Sequence, residues 1–176
     1  PTIVTAVVVA PTAAAPAGGR PVIAWGHGTT GTAQNCGPSQ LLDPVQELNE
    51  YFLVGGDSWT DYGLPSVAEL IKAGNVVVAT DYQGLGGGGR HQYAVATAQA
   101  HDMIDSVRAA KAMSETGAGR KAIIYGWSTG GGAAIAAAGM GDYIARRGTA
   151  ADGIDIVGSV ALAPQDNAVL TGGRAL

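Results

Sequence analysis

A single cysteine, Cys36, stands in the whole chain, so no disulfide framework can be written within these residues. It is either a reduced core thiol or one half of a bridge whose other half is absent from the chain. Charge is also scarce: 14% of the 176 residues are charged, the net charge is −4, and Lys and Arg nowhere cluster. That composition lacks the electrostatic footprint of a nucleic-acid binder or of an anionic-membrane patch. No apolar run approaches the roughly 20 residues of a spanning helix, so stable membrane insertion is not expected. The start at Pro1-Thr2-Ile3 has neither a charged n-region nor a cleavage site, and the expectation is that any export signal has already been removed. His27, His91 and His101 are far apart, with no Cys or His neighbour at ligand spacing, so no metal site is expected.

What is present in quantity is apolar sequence, 47% of the chain, enough for one domain with a genuine core. The stretch that organises it is Ile123-Ile124-Tyr125-Gly126-Trp127-Ser128-Thr129-Gly130-Gly131-Gly132. Lys121 to Tyr125 reads as a buried strand and Ala133 to Ala138 as a helix of small side chains, with Gly126-x-Ser128-x-Gly130 between them. A strand, a sharp turn bearing one serine and a helix are what an activated hydroxyl nucleophile needs. The turn aims the backbone N–H of Thr129 at the place where an oxyanion would develop. Ser128 is therefore the candidate nucleophile.

Taken in order, Thr2 to Ala10 and Arg20 to Trp25 read as two strands joined through Pro11 to Gly19, the pattern of a hairpin. The second runs into Gly26-His27-Gly28-Thr29-Thr30-Gly31, a glycine-punctuated loop of the kind that supplies a second oxyanion amide. His27 reads as a structural group of that loop, because in this architecture the base follows the serine in the chain. Leu41, Leu42, Val45 and Leu48 share one face of a predicted helix, and Asp57 to Gly63 reads as a solvated loop with no assigned chemistry. Ser66 and Glu69 have capping-box spacing for a short helix that Gly74 closes.

Asn75 to Thr80 is continuously apolar, as a strand covered on both faces should be. Gly84-x-Gly86-x-x-Gly89 matches a dinucleotide fingerprint only superficially. A helix follows it, with Tyr93, Ala96, Ala100, Met103, Val107 and Ala110 on one stripe, and no second strand arrives where the acidic partner should stand. No cofactor is expected. His91 and His101 flank and enter that helix and take no assigned role. After the serine come a polar, turn-like tail from Asp142 to Gly153 and a strand from Ile154 to Leu162. The alternation from Val22 onward predicts an α/β fold with a mostly parallel sheet and helices on both faces.

Three motifs together resemble one family, the secretory lipases of the α/β-hydrolase fold, the Candida antarctica lipase A type. They are His27-Gly28-Thr29-Thr30-Gly31 with Cys36-Gly37-Pro38-Ser39, then Asp81-Tyr82-Gln83-Gly84-Leu85-Gly86, then Gly126-Trp127-Ser128-Thr129-Gly130-Gly131. The resemblance implies an α/β-hydrolase that cleaves carboxylic esters, triacylglycerols or simpler acyl esters, with no cofactor, as an extracellular, secreted protein. It makes Ser128 the nucleophile, Thr129 one oxyanion amide, and the Thr29 and Thr30 turn the source of the other. It implies that Cys36 pairs with a cysteine well downstream. Where the family usually places Gln after the nucleophile, Thr129 stands here.

No histidine follows Ser128, although Asp142, Asp152, Asp155 and Asp166 do. Of these only Asp166 lies just beyond a predicted strand, and that strand comes too early for the usual acid. About five strands are predicted where the fold needs roughly eight. The expectation is that residues 1–176 are the N-terminal portion of the catalytic domain, without the cap and the C-terminal strands. A second chain or fragment would then carry the Asp and His of the triad. Two alternatives stand beside this: a catalytically incompetent binding module that keeps the turn as scaffold, and another acyl hydrolase of the same kind, a peptidase or polyester esterase. The hydrolase reading also expects the Val157 to Leu162 strand to form an uncovered apolar edge.

Overall fold

The computed structural model describes residues 2–40, 64–146 and 153–165. Five strands form one sheet in the order β1-β3-β2-β4-β5. They are β1 (Ala6–Val9), β2 (Arg20–Gly26), β3 (Val76–Thr80), β4 (Ala118–Trp127) and β5 (Asp155–Leu162). All neighbours run parallel except β1, which is antiparallel to β3. The helices are α1 (Val67–Lys72), α2 (Ala96–Ala112), α3 (Thr129–Ala138) and α4 (Gly141–Arg146).

β3 is buried along its whole length and β2 nearly so, because each has a strand on both sides and side chains packed on both faces. On one face Val22, Ala24, Val76, Val78, Ala122 and Ile124 meet α2 and α3 through Ala100, Met103, Ile104, Val107 and Ala133. On the other, Ile23, Trp25, Val77 and Ala79 pack with Leu64 and with Val67 of α1. The doubly covered, mostly parallel sheet is the expected α/β architecture.

Several local expectations are corrected. The first two strands form no hairpin: Ala6 to Val9 pairs with Thr80 to Val77, and β2 lies between β3 and β4. The reason is that β2 is apolar on both faces and its burial is complete only in the middle of the sheet, whereas half-buried β1 suits a position outside it. Ser66 does not cap α1, since its φ of 52° places it in the left-handed region with no side-chain bond to the helix. Part of the polar tail is helical: α4 docks on α2, where the Tyr143 hydroxyl donates to Asp105 at 2.7 Å and the ring packs at a tilt of 38° against His101 with centroids 4.1 Å apart. The predicted helix through Leu41 to Leu48, the loop from Asp57 to Gly63, Asp152 and Asp166 lie outside the described residues.

β5 is the outermost strand on its side among the described residues, and Val157, Val160 and Leu162 are 55%, 43% and 43% exposed. Beside it, Ile23, Leu70, Ile123, Tyr125, Val160 and Leu162 line an open apolar groove of about 380 Å³ on the face that α1 covers only in part.

Candidate functional site

Ser128 occupies the one residue between β4 and α3, with φ 56° and ψ −117°. A residue with a Cβ pays for such a conformation, by about 1–3 kcal/mol, so it persists only where the surroundings enforce it. They do so through the backbone. The Ser128 N–H donates to the Leu162 carbonyl at 3.0 Å, and the Ser128 carbonyl accepts from Gly132 N at 3.0 Å and Gln165 N at 2.8 Å. The flanking glycines make the turn possible. A Cβ at Gly126 would lie 2.1 Å from the Gly130 carbonyl oxygen, and one at Gly130 would lie 2.0 Å from that of Gly26. Sequence spacing thus becomes geometry: strand, serine and helix approach closer than side chains allow.

Thr129 is the first residue of α3 and is buried. Its N–H belongs to the first helical turn, which has no intrahelical acceptor, so it sits at the positive end of the helix dipole. Across from it runs the 26–31 loop. A Cβ at Gly28 would come 2.8 Å from the Trp127 ring and 3.4 Å from the Ser128 Cβ, which puts the Gly28 backbone beside the serine. Thr29 Oγ1 lies 3.2 Å from the Tyr93 hydroxyl. Thr30 is 7% exposed, and its Oγ1 is buried with no hydrogen-bond partner among the described residues.

His27 is buried beneath this loop. Its Nδ1 lies 2.7 Å from the Gly28 carbonyl, which can only accept, so Nδ1 carries the proton. Burial pushes the imidazole down to about 4, and its bond to Gly28 only partly opposes this. The Tyr82 hydroxyl donates to the His27 carbonyl at 3.0 Å, and Thr129 Oγ1 reaches the same oxygen at 3.5 Å. His91 Nδ1 is bonded to the Gln83 carbonyl at 2.9 Å, and His101 packs on Tyr143. None of the three histidines is bonded to Ser128. Asp155 stands opposite Lys121 in the β4–β5 ladder, at the end of β5 remote from the serine, about 20 Å away along the strand. Asp142 lies in α4. The described residues therefore bring Thr129 and the Gly28 backbone beside Ser128, and none of the three histidines is bonded to it.

Sequence reasoning gave no role to Asp81 and Tyr82, which directly follow β3. The buried Asp81 carboxylate accepts from Ser39 N at 2.7 Å and from the hydroxyls of Ser39 and Thr5. A Cβ at Gly37 or Gly86 would strike that carboxylate, so both glycines of the matching motifs serve this anchor. An acid ending an otherwise apolar strand was the available signal. Cys36 is a free, half-buried thiol whose Sγ would lie 2.8 Å from a Cβ at Gly31.

A family model of secretory lipases matches residues 57–169, a span that includes Ser128 and begins after the 26–31 loop. Among solved structures, a variant of the rice cell wall degrading esterase LipA from Xanthomonas oryzae is 27% identical, with a TM-score of 0.55 over 82% of this chain and 34% of that one. A ligand-bound form of the same esterase is 26% identical with a TM-score of 0.54 over 82% of this chain and 34% of that one. Candida antarctica lipase A in its closed state, 19% identical, gives a TM-score of 0.53 over 79% of this chain and 30% of that one, a likeness of fold. The chain spans about a third of the length of these structures. A search of curated proteins found no match. The family match over well more than half of the chain carries the assignment: this chain belongs to the secretory lipases and has their α/β-hydrolase fold.

Proposed function

We propose that this chain carries the nucleophile and the oxyanion donors of a secreted serine carboxylic-ester hydrolase, a lipase or esterase. The observation that carries the reading is the backbone of Ser128, a strained serine at a strand-to-helix turn that glycine alone could occupy without cost. Ser128 Oγ attacks the ester carbonyl, and the Thr129 N–H together with donors of the Thr29 and Thr30 turn takes up the charge of the tetrahedral intermediate. The base supplied from outside these residues takes the Ser128 proton on attack and returns it to the departing alcohol as the intermediate collapses, leaving an acyl-serine that water cleaves to the carboxylic acid and free Ser128. The reaction needs no cofactor.

The base and its acid come from polypeptide outside these 176 residues, either the rest of the same catalytic domain with its cap or a second chain. Two facts support this: none of the three histidines is hydrogen-bonded to Ser128, and the chain spans about a third of the related structures. The same histidines favour a second reading, a scaffold that binds without turning over. Peptide or polyester substrates belong to the same chemistry and differ in the acyl pocket.

A fluorophosphonate probe, which labels a serine only beside a working base, tests the proposal. The full-length protein is expected to gain one probe mass on the peptide bearing Ser128 and to lose both label and ester hydrolysis in Ser128→Ala. Residues 1–176 alone are expected to stay unlabelled. A full-length protein that ignores the probe would establish the scaffold reading instead.

A further inference from the structure

We infer that Tyr82 is a positioning residue for this reaction, its hydroxyl setting the plane of the His27–Gly28 peptide and so the direction of the loop's backbone donors. The inference rests on the acyl-transfer reading of Ser128.

The peptide unit is planar and trans, so a carbonyl and the following N–H point in opposite directions. The His27 carbonyl is held by the Tyr82 hydroxyl at 3.0 Å and, more weakly, by Thr129 Oγ1 at 3.5 Å. The Gly28 N–H is thereby turned away from the Tyr82 side. The Gly28 carbonyl is held in turn by His27 Nδ1 at 2.7 Å, which turns the Thr29 N–H away from the buried imidazole. The peptides on either side of Gly28 are both held by these bonds, at a point where a Cβ would lie 3.4 Å from the Ser128 Cβ.

Tyr82 is built for that reach. It is a buried residue with φ 63°, its own N–H tied to Thr80 Oγ1 at 3.1 Å, and its ring lies 4.4 Å from the His27 ring. Gly26 clears the path: a Cβ there would come 2.8 Å from the Tyr82 hydroxyl oxygen and 2.7 Å from the Met103 thioether. Burial raises the Tyr82 hydroxyl far above its ordinary range, so it stays protonated and always donates. For packing alone a phenyl ring would serve. The hydroxyl is what turns packing into orientation.

The test uses the full-length protein and the variants Tyr82→Phe, Gly26→Ala, Ser128→Ala and Tyr143→Phe. Steady-state hydrolysis of p-nitrophenyl butyrate is measured beside inhibition by an alkyl boronic acid, which mimics the tetrahedral intermediate. Losing an oxyanion donor outright costs 10²–10³ in rate, so a misaimed one in Tyr82→Phe should lower kcat about tenfold or more. KM should stay within about twofold, and boronic-acid affinity should fall in step with kcat. Gly26→Ala, which pushes the hydroxyl aside without removing it, should repeat that pattern and keeps the test open should Tyr82→Phe not fold. Tyr143→Phe, which removes a comparable hydroxyl between α4 and α2, should leave both readouts unchanged. A folded Tyr82→Phe or Gly26→Ala with wild-type kcat and boronic-acid affinity overturns the inference. Undiminished hydrolysis by Ser128→Ala overturns instead the reading on which it rests.

Discussion

Asp81 and Tyr82, adjacent at the end of β3, hold the two ends of one loop: Asp81 binds Ser39 and Tyr82 binds the carbonyl of His27. The segment from His27 to Ser39 includes Thr29, Thr30 and Cys36, so two consecutive residues just past the end of a central strand fix the wall of the candidate site opposite α3. One does so as a buried acceptor, the other as a buried donor.

The Asp81 end is tested by Asp81→Asn. Its carboxylate accepts from the Ser39 N–H and from the hydroxyls of Ser39 and Thr5, and the substitution removes the charge that strengthens these bonds and leaves one accepting oxygen in place of two. We expect a loss of about 1–3 kcal/mol of stability, read from the urea midpoint, with faster proteolytic nicking between His27 and Gln40.

At the turn itself, Ser128→Ala and Ser128→Gly should both abolish ester hydrolysis but separate in thermal unfolding. Only glycine relieves the positive φ, so Ser128→Gly should be the more stable of the two, by about 1 kcal/mol. Equal midpoints would mean that the backbone is not strained in solution.

Glycine positions should divide sharply. Gly126→Ala and Gly130→Ala drive a Cβ to about 2 Å from backbone oxygens, and we expect a loss of about 3 kcal/mol or more with activity gone. Gly141→Ala meets nothing within 4 Å and should stay within about 0.5 kcal/mol of the parent. Chemical denaturation of the three variants measures this.

Thr30→Val removes a buried hydroxyl that has no partner among the described residues, so stability should hold or rise slightly. If that hydroxyl reaches the oxyanion in the complete site, kcat should still fall. A variant with unchanged kcat would restrict the donors of this loop to its backbone.

Two groups give stability opposite pH slopes. His27, ordinarily near 6.5, is lowered to about 4 by burial, so the folded protein binds fewer protons than the unfolded chain between those values, and stability declines as pH falls from about 6.5 to 4. Over the full window this is worth about 3 kcal/mol. Asp102, ordinarily 3.8, is raised to about 6, chiefly by burial, so its contribution is present below about 4 and is lost as pH rises toward 6. Asp102→Asn should therefore steepen the acid decline, and His27→Asn should flatten it. Urea unfolding from pH 4 to 7 checks both signs.

The sheet and the serine turn were legible because each rests on a strong local pattern. β3 is a run of Val and Ala bounded by Thr80 and Asp81, and the serine turn needs glycines at fixed offsets. The position of β1 was not legible, since Ala6 to Val9 could pair with either of two apolar strands and nothing local chooses between them. The helical Gly141 to Arg146 segment was hidden because its order comes from Tyr143 docking on His101 and Asp105, about 40 residues earlier in the chain. The part played by Tyr82 depends on a left-handed φ that no residue type announces. His27 was legible as a loop residue because the order of groups in the chain argued against its being the base.

The conformation of Ser128 also bears on how such a chain drifts under mutation. A change of serine to glycine at this position makes the fold easier to hold, so selection for stability alone would favour its loss. On the proposed reading of Ser128, selection for chemistry is what keeps a side chain there. In lineages where hydrolysis no longer matters, position 128 is where erosion should start, and glycine is the residue that should replace serine first.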